Sequence, residues 1–283
     1  MKVVVEAPAT SANLGPGYDC LGLALDVRDR VVFEKASSSS VTVTGEGAGE
    51  VGDGGDNLIL RTFRRAFDEA GSTAPEVSVQ CTNVIPHGRG LGSSSAAIIT
   101  GLVAARAMGV TMTYEDVLTL ATRIEGHPDN VAPALLGGLT IAWMQDGAGH
   151  AARLEPVERL KVTVAVPPER LSTESARGML PGMVPFADAT HAAGRAALAV
   201  AAFTANPDLL LQATEDRLHQ DYRKQAYPQS WELVQQWRTA GIPAAISGAG
   251  PSVIAFAEVT DVPDGWRRLT PEVAAEGVRV SVS

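Results

Sequence analysis

Alternating apolar and polar positions predict several β-strands in the early part of the chain. KVVVEAP at 2–8 and VRDRVVFEK at 27–35 show the period of two that is typical of strands. Between them lies ATSANLGPGYDCLGLAL at 9–25, a glycine-rich segment that we expect to be conformationally irregular. VTVTGEG from residue 41 and EVSVQCTNVI from residue 76 continue the β pattern.

Helical periodicity also occurs in the first half of the chain. Apolar residues recur at helical spacing from Asn57 to Gly71, with Asn57 as the predicted N-cap and Gly71 as the stop. A second helix is predicted from 96 to 108, and a third over 113–126 with Thr113 as its cap. The first half is therefore predicted to be a mixture of helices and strands.

The second half combines strands, helices and a hairpin. GGLTIAW at 137–143 and RLKVTVAVP at 159–167 predict strands, and VRVSVS at the end predicts another. Two apolar runs separated by a glycine turn predict a hairpin over 242–259. Helices are predicted over 192–202, 207–219 and 230–240.

A domain boundary is plausible near residue 150, although no flexible linker marks it. The sequence contains no internal repeat.

Composition and charge exclude several classes of function. The 283 residues are 45% hydrophobic and 19% charged, as in ordinary globular proteins, and only the serine run at 37–40 has low complexity. We interpret that run as a loop tip. The net charge of -9 argues against binding to nucleic acid or to an anionic membrane, since no local cluster of Lys and Arg offsets it. Any anionic ligand must therefore be held by local donors.

The two cysteines and the N-terminus indicate a compartment. Cys20 and Cys81 are far apart and show no metal-ligand spacing, so neither a zinc site nor a disulfide framework is predicted. The first residues lack the apolar run of a signal peptide, and no uncharged run reaches the ~18 residues that span a bilayer. We expect a soluble protein of the cytoplasm.

The segment IPHGRGLGSSSAAIIT at 85–100 is the strongest candidate for chemistry. Gly88, Gly90 and Gly92 alternate just before three serines, so a loop able to adopt positive φ leads directly into a helix N-terminus. Backbone N–H groups and the helix dipole at such a point bind phosphate, and a serine hydroxyl can ligate a divalent cation. The segment matches neither the P-loop nor the dinucleotide fingerprint. A flexible turn with a serine N-cap is the alternative interpretation.

Three further segments accompany it. PHGRGLGSSSAA from residue 86 resembles the central motif of the galactokinase, homoserine kinase, mevalonate kinase and phosphomevalonate kinase (GHMP) superfamily. APATSANLGPGYDCLGLAL from residue 7, EGHPDNVAPALLGGL from 125 and SGAGPSVIAF from 247 resemble the homoserine kinase branch, in the same order. The resemblance extends from residue 7 to about residue 256, which is nearly the whole chain.

The resemblance implies a fold, a reaction and partners. The implied fold is α+β, with a ribosomal-S5-like N-terminal nucleotide-binding domain (1–150) and a ferredoxin-like C-terminal domain (151–283). The implied activity is ATP-dependent phosphorylation of L-homoserine to O-phospho-L-homoserine for threonine biosynthesis, with ATP and Mg²⁺ as cofactors. The implied assembly is a homodimer. Two alternatives remain open at this point, namely another small hydroxylated acceptor such as mevalonate, and a catalytically idle nucleotide-binding protein.

The resemblance also implies which residues hold ATP and the metal ion. Ser94 and Glu125 would be the Mg²⁺ ligands, which suits an ion that takes few protein ligands besides phosphates and waters. A solvated carboxylate at a helix end is the alternative for Glu125. The implied ATP site consists of Asn57, Pro86, Gly88, Arg89, Gly90, Leu91, Gly92, Ser93, Ser94 and Ser95.

The remaining candidates would bind or activate homoserine. By resemblance Asp19 pairs with the ammonium group, and Arg177 and Arg223 bind the carboxylate, with Arg217 as the rival of Arg223. Asn130 would contact the hydroxyl that receives the phosphate, and Asp129 is a candidate base, although the γ-phosphate itself could take the proton. An Asx turn is the alternative for Asn13. The other implied substrate contacts are Asn13, His127 and Gly248, the last as backbone support.

Overall fold

A computed structural model describes residues 1–52, 54–158 and 160–283. The helices are α1 Leu58–Glu69, α2 Ser93–Ala107, α3 Tyr114–Glu125, α4 Val131–Leu136, α5 Thr173–Arg177, α6 Phe186–Thr204, α7 Leu210–Ala213, α8 Gln220–Arg223 and α9 Pro228–Thr239, with 3₁₀ turns at Pro207–Leu209 and Lys224–Ala226. The strands are β1 Lys2–Asn13, β2 Gly17–Lys35, β3 Ser40–Gly45, β4 Val77–Asn83, β5 Leu139–Gln145, β6 Ala148–Leu154, β7 Thr163–Val166, β8 Ala244–Ile246, β9 Val253–Ala255, β10 Arg267–Leu269 and β11 Arg279–Val282.

The larger sheet is built around two long strands near the N-terminus. Its order is β11-β1-β2-β4-β3, and β5 joins β2 and carries β6 at its other edge. All pairs are antiparallel except β3 with β4. The last strand of the chain returns to pair with the first, so both ends of the sequence meet in this sheet. The division into domains at residue 150 stays a prediction.

The smaller sheet has the order β10-β7-β9-β8 and is antiparallel throughout. Leu233, Val234 and Trp237 of α9 pack against it in one core cluster. Another core cluster draws residues from both sheets, among them Leu23 of β2 and Ile254 of β9. The two sheets are therefore joined by shared apolar burial. Within the described ranges, no helix has the length and hydropathy needed to cross a membrane.

Several elements confirm the sequence predictions. Asn57 caps α1 by accepting hydrogen bonds from two backbone N–H groups, and Thr113 forms a full capping box with Asp116 at the start of α3. The hairpin predicted over 242–259 is present as β8 and β9. Of the serine run predicted as a loop tip, Ser37 to Ser39 lie in the connection before β3, whereas Ser40 is the first residue of that strand. Arg159, where one predicted strand begins, lies outside the described residues.

Two predictions of secondary structure were wrong in part. The helix predicted over 207–219 ends at Ala213, because the Asp216 carboxylate accepts hydrogen bonds from the backbone N–H groups of Leu218, His219 and Gln220 and so replaces helical bonding. The segment 9–25 is mostly strand, since β1 continues to Asn13 and β2 begins at Gly17.

Candidate active site

At the N-terminus of α2, no side chain of the N-cap residue pairs with the free backbone N–H groups of the first turn. Gly88, Gly90 and Gly92 have φ of 65°, 71° and 68°, which confirms the predicted positive φ. α2 starts at Ser93, three residues before the predicted Ala96, and its N-cap is Gly92, which has no side chain to cap the helix. The first backbone N–H groups of a helix have no partner within it, and such groups bind anions. This end of α2 can therefore hold phosphate oxygens.

Close packing also requires two of these glycines. A Cβ at Gly92 would lie 1.9 Å from Oγ1 of Thr10, and a Cβ at Gly90 would lie 2.1 Å from the carbonyl oxygen of Ser247. The Ser247 hydroxyl donates to the carbonyl of Gly90 at 2.6 Å. The glycine loop is thus fixed against β1 and against the turn between β8 and β9.

Ser94 and Glu125 lie together although 31 residues separate them. The Ser94 hydroxyl donates to Oε1 of Glu125 at 2.6 Å, and the Ser95 hydroxyl donates to the same oxygen at 2.9 Å. Oxygen donors of this kind suit Mg²⁺. No cluster of three or more His, Cys, Asp or Glu side chains that could hold a metal ion occurs in the part of the chain that the structure describes. A cation here would need further oxygens from a bound phosphate or from water.

Asp19 and Arg177 form an ion pair with two hydrogen bonds, of 2.5 and 3.0 Å. Asp19 adopts φ of 57°, and its backbone N–H donates to Oδ1 of Asn13 at 3.0 Å. Asn13 in turn donates to the carbonyl of Gly248 at 2.9 Å. Burial opposes the charge of Arg177, but the pairing with Asp19 outweighs it and raises the pKa of Arg177. Asn13 therefore positions Asp19 and ties it to the glycine turn at 248.

Arg223 is a buried guanidinium with only neutral partners. The residue is 2% exposed, and its Nε donates to the carbonyl of Ala176 at 2.9 Å. Nη2 donates to the Tyr18 hydroxyl at 3.2 Å, and the guanidinium lies 5.2 Å from the centre of the Tyr18 ring. Among the described residues it has no carboxylate within 4.0 Å. A buried charge without a counter-ion is costly, so this arginine favours an anionic ligand.

His219 fixes one side of that guanidinium. Its Nε2 lies 2.7 Å from the carbonyl oxygen of Gly15, which can only accept, so Nε2 carries the hydrogen. Nδ1 is then an acceptor and faces Nη1 of Arg223 at 3.4 Å. Burial lowers the pKa of His219, which keeps the ring neutral beside the arginine.

Arg217, the rival for this role, lies elsewhere. Its side chain is about half exposed and pairs with Glu215 at 3.5 Å in a separate groove. The charge of Arg217 is thus already paired with the carboxylate of Glu215. Of these two arginines, only Arg223 lines the cleft that Asp19 and Ser94 also line.

The turn EGHPDN places His127, Asp129 and Asn130 before α4. Nδ1 of His127 lies 2.5 Å from Oδ1 of Asp129, and both side chains are buried. Burial disfavours the charged imidazole, but the hydrogen bond and the charge of Asp129 outweigh it and raise the pKa of His127. Oδ1 of Asn130 accepts from the Thr10 hydroxyl at 2.8 Å. Each of these groups is therefore held in one orientation.

These residues surround one cleft of about 160 Å³. A second cavity of about 330 Å³ lies beside it and is mainly apolar, with Val31, Val43 and Ile59 in its wall. Ser93 and Ser94 line both, so the two spaces meet at the start of α2. The predicted residues that line the cleft are Asn13, Asp19, Gly88, Arg89, Gly90, Leu91, Gly92, Ser93, Ser94, Glu125, His127, Asp129, Asn130, Arg177, Arg223 and Gly248.

Comparison with known proteins places the chain in a family. The model of the GHMP kinases N terminal domain matches residues 57–138, and that of the GHMP kinases C terminal domain matches 196–275. A homoserine kinase of Streptomyces avermitilis is 49% identical over 98% of this chain and 95% of its own length. One from Streptomyces coelicolor is 53% identical over 90% of this chain and 84% of its own. The chain belongs to the homoserine kinase branch of the GHMP kinase family.

The fold agrees with that family. The crystal structure of homoserine kinase from Cytophaga hutchinsonii superposes with a TM-score of 0.85, at 25% identity, over 99% of this chain and 97% of the other. The α+β GHMP kinase fold predicted from the four sequence motifs is therefore confirmed.

Four of the predicted ATP-site residues of this GHMP kinase either lie outside the cleft wall or use their side chains to bind other parts of the protein. Arg89 lines the cleft, but its guanidinium donates to the backbone carbonyls of His87, Pro167 and Pro168. Pro86 and Ser95 lie outside the cleft wall, and Asn57 lines the apolar cavity while capping α1.

Sequence reasoning missed several residues of the cleft in this GHMP kinase. Tyr18 lies beside both Arg177 and Arg223. The centre of its ring is 5.5 Å from Cζ of Arg177 and 5.2 Å from Cζ of Arg223. Its position beside Asp19 in the motif GYDCLG was the available signal. Ser172 and Thr173 also line the cleft, and no pattern in the sequence marks them.

Proposed function

We propose that this protein transfers the γ-phosphoryl group of ATP to the side-chain hydroxyl of L-homoserine. The products are O-phospho-L-homoserine and ADP, and the step belongs to threonine biosynthesis. Relatives that carry the name homoserine kinase match nearly the full chain, which supports this acceptor. The observation that carries the proposal is the buried Arg223 guanidinium, which lines the cleft without a carboxylate partner.

A zwitterionic amino acid matches the charges of the cleft. The substrate carboxylate would take Arg223 and Arg177, and the ammonium would take Asp19. Because Asp19 and Arg177 now neutralise each other, a ligand that brings one charge of each sign replaces their pairing without leaving either charge alone. Mevalonate has a carboxylate but no ammonium, so this arrangement favours homoserine over it.

The phosphates and Mg²⁺ would lie at the open end of α2. Ser94 and Glu125 would hold Mg²⁺, and the backbone N–H groups of the first turn would bind phosphate oxygens. When bound, Mg²⁺ neutralises charge on the phosphates. The present hydrogen bond between Ser94 and Glu125 keeps the two oxygens close enough to share one cation.

Phosphoryl transfer depends on alignment more than on covalent help from the protein. The homoserine hydroxyl oxygen forms the new bond to the γ-phosphorus while the bond to the bridging oxygen of ADP breaks. Asn130 would orient the hydroxyl. Asp129 is bonded to His127 and in this proposal shapes the pocket, so the hydroxyl proton passes to the transferred phosphoryl group.

The base of ATP would occupy the neighbouring apolar cavity. That cavity is larger than the cleft and shares Ser93 and Ser94 with it, so a nucleotide could lie with its base there and its phosphates at the start of α2. We further propose a homodimer located in the cytoplasm, which rests on the family resemblance. Light scattering after size-exclusion chromatography tests the dimer.

A coupled assay of ADP release tests the acceptor. Purified protein with ATP and Mg²⁺ is compared on L-homoserine, D-homoserine, L-serine, mevalonate and galactose. We expect L-homoserine to give the highest kcat/KM. Faster ADP release with mevalonate or galactose would overturn the acceptor, and no release above the acceptor-free rate with any compound would overturn the kinase activity.

A further inference from the structure

Asn83 has a buried polar atom without a partner in the wall of the apolar cavity. The residue is the last of β4, and its side chain is on the same face as that of Cys81, two positions earlier. Asn83 is 7% exposed, and its Oδ1 lacks any hydrogen bond. Three other buried side-chain atoms of the described residues lack a partner, and none belongs to this cavity.

The chemistry of the neighbouring group fixes which end of the amide is unpaired. Nδ2 of Asn83 donates to the carbonyl oxygen of Glu46 at 3.2 Å. A carbonyl oxygen cannot donate, so the reverse orientation of the amide would set two acceptors against each other. The unpaired atom is therefore an acceptor, and it requires a donor from a ligand or from water.

Two other buried polar side chains of the cavity, Asn57 and Asp29, already have partners. Oδ1 of Asn57 accepts from the backbone N–H groups of Ile59 and Leu60, and its Nδ2 donates to the carbonyl of Gly52. Oδ1 of Asp29 accepts from the backbone N–H groups of residues 84 and 85. Of the amides of Asn57 and Asn83, that of Asn83 has the oxygen without a hydrogen bond. Leaving a buried acceptor unpaired is costly, so a ligand that supplies a donor gains by pairing with it.

We propose that Oδ1 of Asn83 accepts a hydrogen bond from the 6-amino group of adenine and makes this site selective for ATP over 6-oxopurine nucleotides. This rests on the proposed function, which puts the base of ATP in this cavity. A 6-oxo group at the same place presents an acceptor to an acceptor, and the lost hydrogen bond is not replaced by solvent in a buried wall. Sites built to hydrogen-bond one ligand group discriminate strongly against analogues that lack it.

Calorimetric titration with ADP and IDP, without homoserine, tests the assignment. We expect the native protein to bind ADP at least ~10-fold more tightly than IDP, a difference of about 1.4 kcal/mol. In Asn83→Leu the preference should fall below ~3-fold. Thr82→Ala is the matched control, since Thr82 is the adjacent, exposed residue of β4, and it should keep the native preference. Equal loss of affinity for both nucleotides in Asn83→Leu would overturn the proposal, as would an unchanged preference.

A second probe covers the case in which Asn83→Leu does not fold. The diphosphate of purine riboside lacks the 6-amino group and adds no oxo group, so the native protein should bind it at least ~10-fold more weakly than ADP. Affinity equal to that of ADP would overturn the proposal. Because these titrations contain no acceptor, a failure of homoserine phosphorylation leaves their result unaffected. A failure of ADP to bind would overturn the base site and the selectivity together.

Discussion

Asp19 and Arg177 satisfy each other through two hydrogen bonds on the wall of the cleft, although 158 positions separate them in the sequence. The pair is about one-third exposed, so a ligand can reach both charges. In a bound zwitterion the ammonium group can pair with Asp19 and the carboxylate with Arg177, so each residue exchanges one ion-pair partner for another. A ligand with a single charge would leave one partner without its counter-ion, which disfavours it. The pair therefore favours ligands that carry both a positive and a negative charge over ligands that carry one.

Arg223→Leu should raise the KM for L-homoserine by ~100-fold, about 3 kcal/mol, and leave the KM for ATP within ~3-fold. The physical reason is the loss of a buried guanidinium that faces the cleft without a carboxylate partner. Arg217→Leu is the matched control, because Arg217 is exposed and pairs with Glu215. Steady-state kinetics with each substrate varied in turn make the comparison. A high KM in Arg217→Leu with native values in Arg223→Leu would exchange the roles of the two arginines.

Glu125→Gln and Ser94→Ala should each lower kcat by ~100-fold or more while the protein remains folded. Each change removes an oxygen that stabilises the cation on the phosphates, and such contacts commonly contribute a few kcal/mol to the transition state. The rate is measured as a function of Mg²⁺ concentration, with circular dichroism as the check on folding. Native rates for Glu125→Gln at limiting Mg²⁺ would remove Glu125 from the metal site.

Asp129→Asn should slow the chemical step by less than ~100-fold, and saturating homoserine should restore part of the activity. The residue is bonded to His127 and shapes the pocket, so it is not required to remove the hydroxyl proton. Single-turnover rates at saturating L-homoserine isolate that step. A loss of ~10⁴-fold, the upper end of what a general base supplies, would make Asp129 the base.

Asp29→Asn should make the protein more stable above neutral pH. Burial raises the pKa of Asp29 from 3.8 to about 6, although hydrogen bonds from Ile85 and Val84 oppose the rise. The folded state therefore holds the proton more tightly than the unfolded state, and the free energy of unfolding decreases as pH rises from about 4 to about 6. The loss that this rise implies is about 3 kcal/mol.

The amide introduced by Asp29→Asn would carry no charge and would retain an oxygen that can accept from the two backbone N–H groups. Urea unfolding at pH 4 and at pH 8 measures the effect, and the gain in stability over the native protein should be larger at pH 8. An equal effect at both values of pH would show that Asp29 does not titrate in this way.

Local patterns predicted much of the fold. The cap at Asn57, the capping box at Thr113 and the positive φ of the three loop glycines all follow from residue types and short spacings, which act over one turn of chain. The same kind of reasoning failed over 207–219. There the Asp216 side chain competes for backbone N–H groups, and helical periodicity alone does not show that competition.

The contacts that create the cleft could not be read from local patterns. Family resemblance identified Arg223 and Asp19, but not that Tyr18 and His219 hold the guanidinium or that Arg177 closes on Asp19. The unpaired oxygen of Asn83 depends on the position of Glu46, 37 residues away, and no spacing rule predicts it. These features arise from the way β1, β2, β4 and the helices of the second half meet.

Whether the cleft requires both charges of the substrate is tested by comparing L-homoserine with two analogues that each lack one charge. 3-Amino-1-propanol retains the hydroxyl and the ammonium, and 4-hydroxybutanoate retains the hydroxyl and the carboxylate. The kcat/KM of the native protein is measured for each by ADP release. We predict that both analogues fall at least ~100-fold below L-homoserine, because each leaves a charge on the cleft wall unpaired. A kcat/KM for either analogue within ~3-fold of that for L-homoserine would contradict the claim that the cleft is built for a zwitterionic amino acid.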